Sequence, residues 1–216
     1  MLNRNWNTLN LGLLTAAIAF GSVGVAQAEK LALDTAQSQI GWLGKKVTGQ
    51  HNGTVAVKSG ELEVDGKNIK GGKFEIDMTS IKVDDIKDAE YNAKLTGHLK
   101  SDDFFSVEKN PTSTFVLKTV KPVKGKKGKK GKKGKKGDED ATHEITGDLT
   151  IKGITHPVSF PAKVEIAKDQ ASAKGKVTID RTKYDVRYGS GKFFQGLGDK
   201  MIYDNFEIDL KLVAKK

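Results

Sequence analysis

GHLKSDDFFSVEKNPTSTFVL, Gly97 to Leu117, is the stretch on which the fold turns, because it interrupts a long series of alternating strands with something helical. Just upstream, Tyr91, Leu95 and Leu99 fall at i, i+4 and i+8 and predict one face of a short helix. Asp85 or Asp88 can cap it, and Glu90 and Lys94 form an i, i+4 pair. Ser101, Asp102 and Asp103 can cap a further single turn that presents Phe104 and Phe105 together, and Pro111 forbids helix beyond it. On a strand two adjacent aromatics point to opposite faces; on a turn both can plug the end of a barrel.

Outward from that stretch the pattern has period two. Phe74, Ile76 and Met78 alternate with Glu75, Asp77 and Thr79, and Ile145, Leu149 and Ile151 with Glu144, Thr146, Asp148 and Thr150. The rows Val158 to Ile166, Ala171 to Ile179 and Phe206 to Leu212 repeat it. One apolar and one wet face per strand is the antiparallel pattern. Turn signals stand at Ser59-Gly60, Asp65-Gly66, Gly71-Gly72 and Lys152-Gly153. The segments 30–34 with 39–43, 51–57, 61–65, 73–81, 113–121, 143–151, 156–166, 171–180 and 203–213 number about nine, and eight once neighbours merge into one bent strand. Long strands with a single apolar face suit closure, since an open sheet leaves two edges to aggregate. The expected fold is therefore all-β, an eight-stranded antiparallel β-barrel with one short helical insertion.

An eight-stranded barrel is either filled by its own side chains or holds one small ligand. The small inward residues Ala162, Ala171, Ala173, Gly147 and Gly175 leave room. The alternative is a dry core in which Phe and Met of facing rows interdigitate.

Residues 1–28 read as a secretory signal: Arg4, an apolar stretch from Leu11 to Val25, then Ala26-Gln27-Ala28 as a small-x-small cleavage site. Residues 29–216 form the expected domain, exported to the periplasm or beyond. The chain contains no Cys, so neither a lipoprotein anchor nor a disulfide framework is available.

The net charge of +10 is concentrated in one place. Lys121 to Lys136 contain ten lysines and no acid; taking those from the 37 basic residues leaves 27, against 27 acidic ones. The body is neutral, which argues against specific nucleic-acid binding. GKK repeats four times from Gly125 to Lys136, and dense lysine with glycine predicts a disordered loop over 121–141 between two strands.

No catalytic or metal apparatus is visible. His51, His98, His143 and His156 lack ligand spacing, and there is no GxSxG, no HExxH and no Cys nucleophile. Asp102 with Asp103 reads as helix N-terminal charge, and Gly71-Gly72 precedes no helix that could cradle a phosphate. Arg181 to Asp204, RTKYDVRYGSGKFFQGLGDKMIYD, is the other irregular stretch, and loops of that length are uncommon unless functional. Its Phe193-Phe194 pair echoes Phe104-Phe105, so both can lid one end of the barrel. Arg181 and Arg187 can neutralise a ligand head group, or Arg181 can pair with Asp180, Asp185 or Asp102 and tie the loop down.

HLKSDDFF followed by a Pro and TFVL, then GDLTIKGITHPVSF from Gly147 to Phe160, then IDRTKYDVRYG from Ile179 to Gly189, resembles the YceI-like family of bacterial lipid-binding, lipocalin-like barrels. The three motifs occur in order over nearly the whole of 29–216. The resemblance implies an exported lipocalin-like β-barrel that holds a polyisoprenoid or similar long-chain amphiphile, without catalysis and without a cofactor other than that lipid. Asp185 stands where many members carry glycine, which leaves the tight turn there open. The expected cavity walls are Trp42, Phe74, Ile76, Phe115, Leu149, Phe160 and Phe206, with Phe104, Phe105, Phe193 and Phe194 at a mouth and Arg181 near the head group. At ~0.8 kcal/mol per buried CH₂, ten chain carbons outweigh several kcal/mol lost in association. The alternative is a surface-attachment protein whose Lys121 to Lys136 run binds anionic envelope polymer around an inert barrel.

Overall fold

The computed structural model describes residues 28–123 and 140–216; most of the expected signal sequence and all of the GKK repeats lie outside them. In chain order the elements are β1 (Glu29–Leu33), β2 (Gln39–Lys46), β3 (Gly49–Asp65), β4 (Asn68–Val83), α1 (Ala89–Lys100), β5 (Thr112–Pro122), β6 (His143–Ile151), β7 (Ile154–Ile166), β8 (Gln170–Asp180) and β9 (Asn205–Lys215). All pairings between these strands are antiparallel, from β3 through β4 and onward to β9, which returns to β1 and β2.

Nine strands make eight staves because β1 and β2 share one position. β1 pairs with β3 at Leu31↔Leu62 and with β9 at Leu33↔Ala214, while β2 meets the same two neighbours at Trp42↔Gly53 and Trp42↔Ile208. Asp34 makes the break, its carboxylate accepting the N–H groups of Ala36 (3.0 Å) and Gln37 (3.1 Å), an Asx turn that the ladder resumes beyond. The lysine-rich loop begins later than expected. Lys121 and Pro122 still pair with Glu144 and His143 at the end of β5.

Two of the four turn signals are not turns. Ser59-Gly60 lies within β3 beside a bulge, and Gly71-Gly72 lies within β4 opposite Glu63 and Leu62, so 51–57 and 61–65 are one long strand. The glycines serve packing: a Cβ on Gly60 would come within 2.7 Å of the Phe74 ring. Lys152-Gly153 is a true two-residue hairpin, with φ of +52° and +73° between the paired Ile151 and Ile154. The unfavourable left-handed lysine is held by its Nζ donating to the Asp185 carbonyl at 2.9 Å.

The helix forms where its cap predicts, with the Asp88 carboxylate accepting the Tyr91 N–H at 2.9 Å. Its inner face is only in part the expected one: Leu95 is half-buried and Leu99 packs inward, but Tyr91 does not. Tyr91 is 65 % exposed, and the anchor is Asn92, whose Nδ2 donates to the carbonyls of Val83 and Ile86, both at 2.9 Å. Those carbonyls lie where β4 leaves the sheet, so a polar side chain serves there better than an apolar one. Leu99, at the other end of α1, packs on Met78, Ile81 and Val107.

The antiparallel order gives the barrel two unlike ends. One carries the β2–β3, β4–β5, β6–β7 and β8–β9 connections, and with them α1 and Arg181 to Asp204; the other carries β3–β4, β5–β6 and β7–β8.

Candidate functional site: an apolar lumen

The inward rows enclose a cavity of about 260 Å³, just below the ~300–1,000 Å³ usual for small-molecule sites. Trp42 and Ile76 from β2 and β4, Phe115 and Leu149 from β5 and β6, and Phe206 from β9 face it and are only half-buried, as inward side chains are when the space in front of them is empty. Phe74 and Phe160 face it too and are buried. The dry-core alternative therefore does not describe the interior.

The small inward residues make this space in an indirect way. A Cβ on Gly147 would collide with the Phe115 ring, and one on Gly175 would stand 3.4 Å from the ring of Phe160. The glycines are not themselves the void. They let the Phe115 and Phe160 rings pass close over the backbone of neighbouring strands, and the two rings keep a tilted contact at 6.1 Å.

Phe104 and Phe105 lie at the end that carries α1. The turn forms around Ser101, whose carbonyl accepts the N–H of Phe104 (3.1 Å) and of Ser106 (2.9 Å). Phe104 is buried against His98 (4.9 Å) and Tyr188 (5.6 Å), and Phe105 reaches Phe206 inside the barrel (6.4 Å); both line the cavity. Asp102, bonded to Lys109 at 2.6 Å and to Ser106, titrates below the usual carboxylate range.

Arg181 also borders the cavity but directs its fork elsewhere. Only 4 % exposed, it donates to the carbonyls of Tyr203 (3.1 Å), Val186 (2.9 Å), Tyr188 (2.8 Å) and Ile202 (3.1 Å), and Asp204 Oδ1 lies 3.8 Å away. Burial lowers its pKa against the opposing pull of Asp204 and Asp180. A guanidinium with four of its five donors on loop carbonyls fastens the loop. Asp185 completes the turn in the left-handed region, φ +58°, where aspartate is tolerated better than most residues. Arg187 pairs with it at 2.6 Å.

Phe193 and Phe194 do not lid the lumen. They are 45 % and 49 % exposed and neither lines it; Phe194 instead borders a polar cleft outside, with Asp185, Arg187 and Tyr188. The expectation paired them with Phe104 and Phe105 on composition, but the loop's buried anchors, Tyr184, Val186 and Ser190, all precede them. The lining also includes many residues not named as walls, among them Gly44 and Tyr203. Gly44 continues the inward row of Ile40 and Trp42 at period two, so the signal was present; Tyr203 falls in the expected 203–213 segment but out of step with its inward row, and in the structure it precedes β9.

The histidines are separately engaged: His51 with Asp85 (2.9 Å), His98 with Asp103 (3.2 Å), His143 with Thr142 (2.8 Å) and His156 with the Lys183 carbonyl (3.0 Å). Among the described residues no three His, Asp or Glu side chains gather where a metal ion could sit.

Comparison with known proteins agrees with this architecture. A model of the YceI-like domain matches residues 31–214. A UPF0312 protein of Ectopseudomonas mendocina is 28 % identical over 184 residues, 79 % of this chain and 85 % of the relative. The protein YceI of Escherichia coli O157:H7 is 31 % identical over 160 residues, 71 % of each. Among solved structures, Burkholderia cenocepacia BcnA superposes with a TM-score of 0.60 at 23 % identity, covering 85 % of this chain and 99 % of that one. A polyisoprenoid binding domain from Saccharophagus degradans superposes at 0.54 and 11 % identity, covering 86 % and 97 %.

Proposed function

The chain belongs to the YceI-like family, and from that premise we propose that it is an exported, non-catalytic carrier that holds a polyisoprenoid or similar long-chain amphiphile in its barrel. The observation that supports this most is the lumen: a closed barrel whose inner rows leave an apolar cavity of about 260 Å³ in place of filling it. Water gains little in such a space, having almost no polar partners, whereas each CH₂ placed there gains ~0.8 kcal/mol. A single unbranched or methyl-branched chain matches a small apolar cavity lined by aromatic and aliphatic side chains. The Saccharophagus domain, described as polyisoprenoid binding, points to the same class of ligand.

Mass spectrometry of an organic extract of the purified protein tests the reading directly, with Ala173→Phe as the matched variant. Ala173 borders the cavity, so a phenyl ring there takes up space without touching the loops. The wild type yields a long-chain lipid and the variant, still folded, yields at most about a tenth as much, the loss of several CH₂ contacts. Equal yields would remove the lumen as the binding site.

A further inference from the structure

Among the described residues, the exposed large hydrophobic ones, Val47, Tyr91, Tyr188, Phe193, Phe194 and Tyr203, are all carried by connections at one end of the barrel. That clustering exceeds the scattered single exposures that any surface shows. Four belong to the β8–β9 loop, and Val47 is tied to the same loop, its N–H donating to the Met201 carbonyl at 3.1 Å. The loop is rigid below and bare above. Arg181, Tyr184, Val186 and Ser190 are buried, while Gly191 to Lys200, with Phe193 and Phe194, is almost wholly exposed.

At this end a residue that lines the lumen reaches solvent. Tyr203 is 48 % exposed and yet lines the cavity. Across the Lys46↔Ile202 bridge, Gly44 lines it as well, and a Cβ there would meet nothing within 4 Å. Charges of both signs stand among the apolar groups: Arg187 lies over the Phe193 ring at 4.9 Å and pairs with Asp185 at 2.6 Å, Lys46 precedes Val47, Lys200 follows the tip, which holds one acid, Asp199, and Phe194 borders a cleft with Asp102, Asp103 and Lys152.

We propose that this end docks on an anionic lipid bilayer through the Phe193-Phe194 tip, with Val47 and Tyr203 beside it, and that the chain passes between bilayer and lumen by Gly44 and Tyr203. The proposal rests on the reading of the lumen as a lipid site. A long apolar chain has negligible free concentration in water, so its source must be brought against the mouth. Aromatic tips flanked by Lys and Arg match the bilayer interface, where rings enter the head-group region and cations meet anionic lipid.

The test uses the intact chain carrying Phe194→Trp and vesicles of phosphatidylcholine with phosphatidylglycerol, brominated on the acyl chains, at ~0.5 M salt so that the lysine run is screened. The emission that Phe194→Trp adds to that of the chain with Phe194, which already holds Trp6 and Trp42, shifts to the blue and is quenched. Phe193→Ser with Phe194→Ser lowers vesicle partitioning at least about tenfold, as expected for two rings returned to water. An unquenched reporter, or a double variant that partitions like the wild type, overturns the proposal. So does a wild type that ignores vesicles but dimerises through these phenylalanines, which would make the patch an interface between copies. Organic extracts of the same preparations separate the two readings. An empty barrel that docks breaks the carrier reading alone, and a loaded barrel that does not dock breaks this one alone.

Discussion

Each end of the barrel carries a long insertion between strands that are paired up to the point where it leaves. β8 and β9 close at Asp180↔Asn205, and β5 and β6 close at Pro122↔His143. The first insertion contributes Tyr184, Val186 and Ser190, which are among the most deeply buried side chains of the molecule, and Arg181, whose fork gathers four carbonyls. The second is mostly lysine and glycine, closed by Asp138, Glu139 and Asp140, with no large apolar residue between Val123 and Thr142. A connection's length therefore says little about its role. What matters is whether it carries residues that the barrel's end can take in, and the two Phe-Phe pairs show this within one end: 104–105 is packed under α1 and 193–194 stands in solvent.

Truncating the two pairs breaks that comparison with the largest effect. Phe104→Ala leaves a hole between His98, Phe105 and Tyr188 and should cost about 3–5 kcal/mol in urea unfolding. Phe194→Ala, at the exposed tip, should stay within about 0.5 kcal/mol. Equal costs would mean that the tip is as firmly packed as the base.

The wall was legible in the sequence because each stave repeats one signal, and a period of two survives local irregularity. The lumen-facing rows followed from the same signal, Trp42 to Phe206 alike. What stayed hidden has no periodic signature. Ser59-Gly60 and Gly71-Gly72 look like turns because glycine in a strand and glycine in a turn are the same letter, and only the ring of Phe74 across from them decides. The partners of Arg181 are backbone carbonyls, which every residue possesses, so scanning for a carboxylate partner could find only the distant Asp204. Likewise Asn92 anchors α1 through main-chain oxygens while the apolar Tyr91 faces out.

Tyr184, at the base of the first insertion, gives an intermediate effect that appears only at high pH. Burial pushes its phenol from 10.0 up to about 12. A raised pKa means that the folded state favours the protonated form, so this contribution is complete below about pH 10 and is lost as pH rises from there toward 12. Tyr184→Phe keeps the ring, with its edge contact to His156 at 5.3 Å, and has nothing to ionise. At pH 7 the two proteins should differ by less than about 1 kcal/mol. Between pH 10 and 12 the wild type should lose urea resistance faster than the variant. Parallel curves would place the alkaline sensitivity elsewhere and make the base of this loop less dry than its burial indicates.

A small gain in stability is expected from the other end. Deleting Gly125 to Lys136 removes no residue of β5 or β6, and the Val123 N–H still meets the Thr142 carbonyl at 2.9 Å just beyond the last paired residues. The connection between Val123 and Thr142 shortens roughly threefold, so loop-closure entropy favours the deleted chain by about 1 kcal/mol. For a domain of this size that is a rise in Tm of roughly 2–4 °C, with the lipid content of the lumen unchanged. Retention on heparin should respond in the opposite sense, since eight of the ten lysines between Lys121 and Lys136 leave with the deletion. It should fall to a low-salt elution, because attraction between exposed charges is screened beyond ~8 Å at physiological ionic strength. Vesicle partitioning at ~0.5 M salt, attributed to the Phe193-Phe194 tip at the far end, should persist. A deleted chain that melts lower than the wild type would show that the lysine run is packed against the barrel, and the two insertions would then differ in composition but not in role.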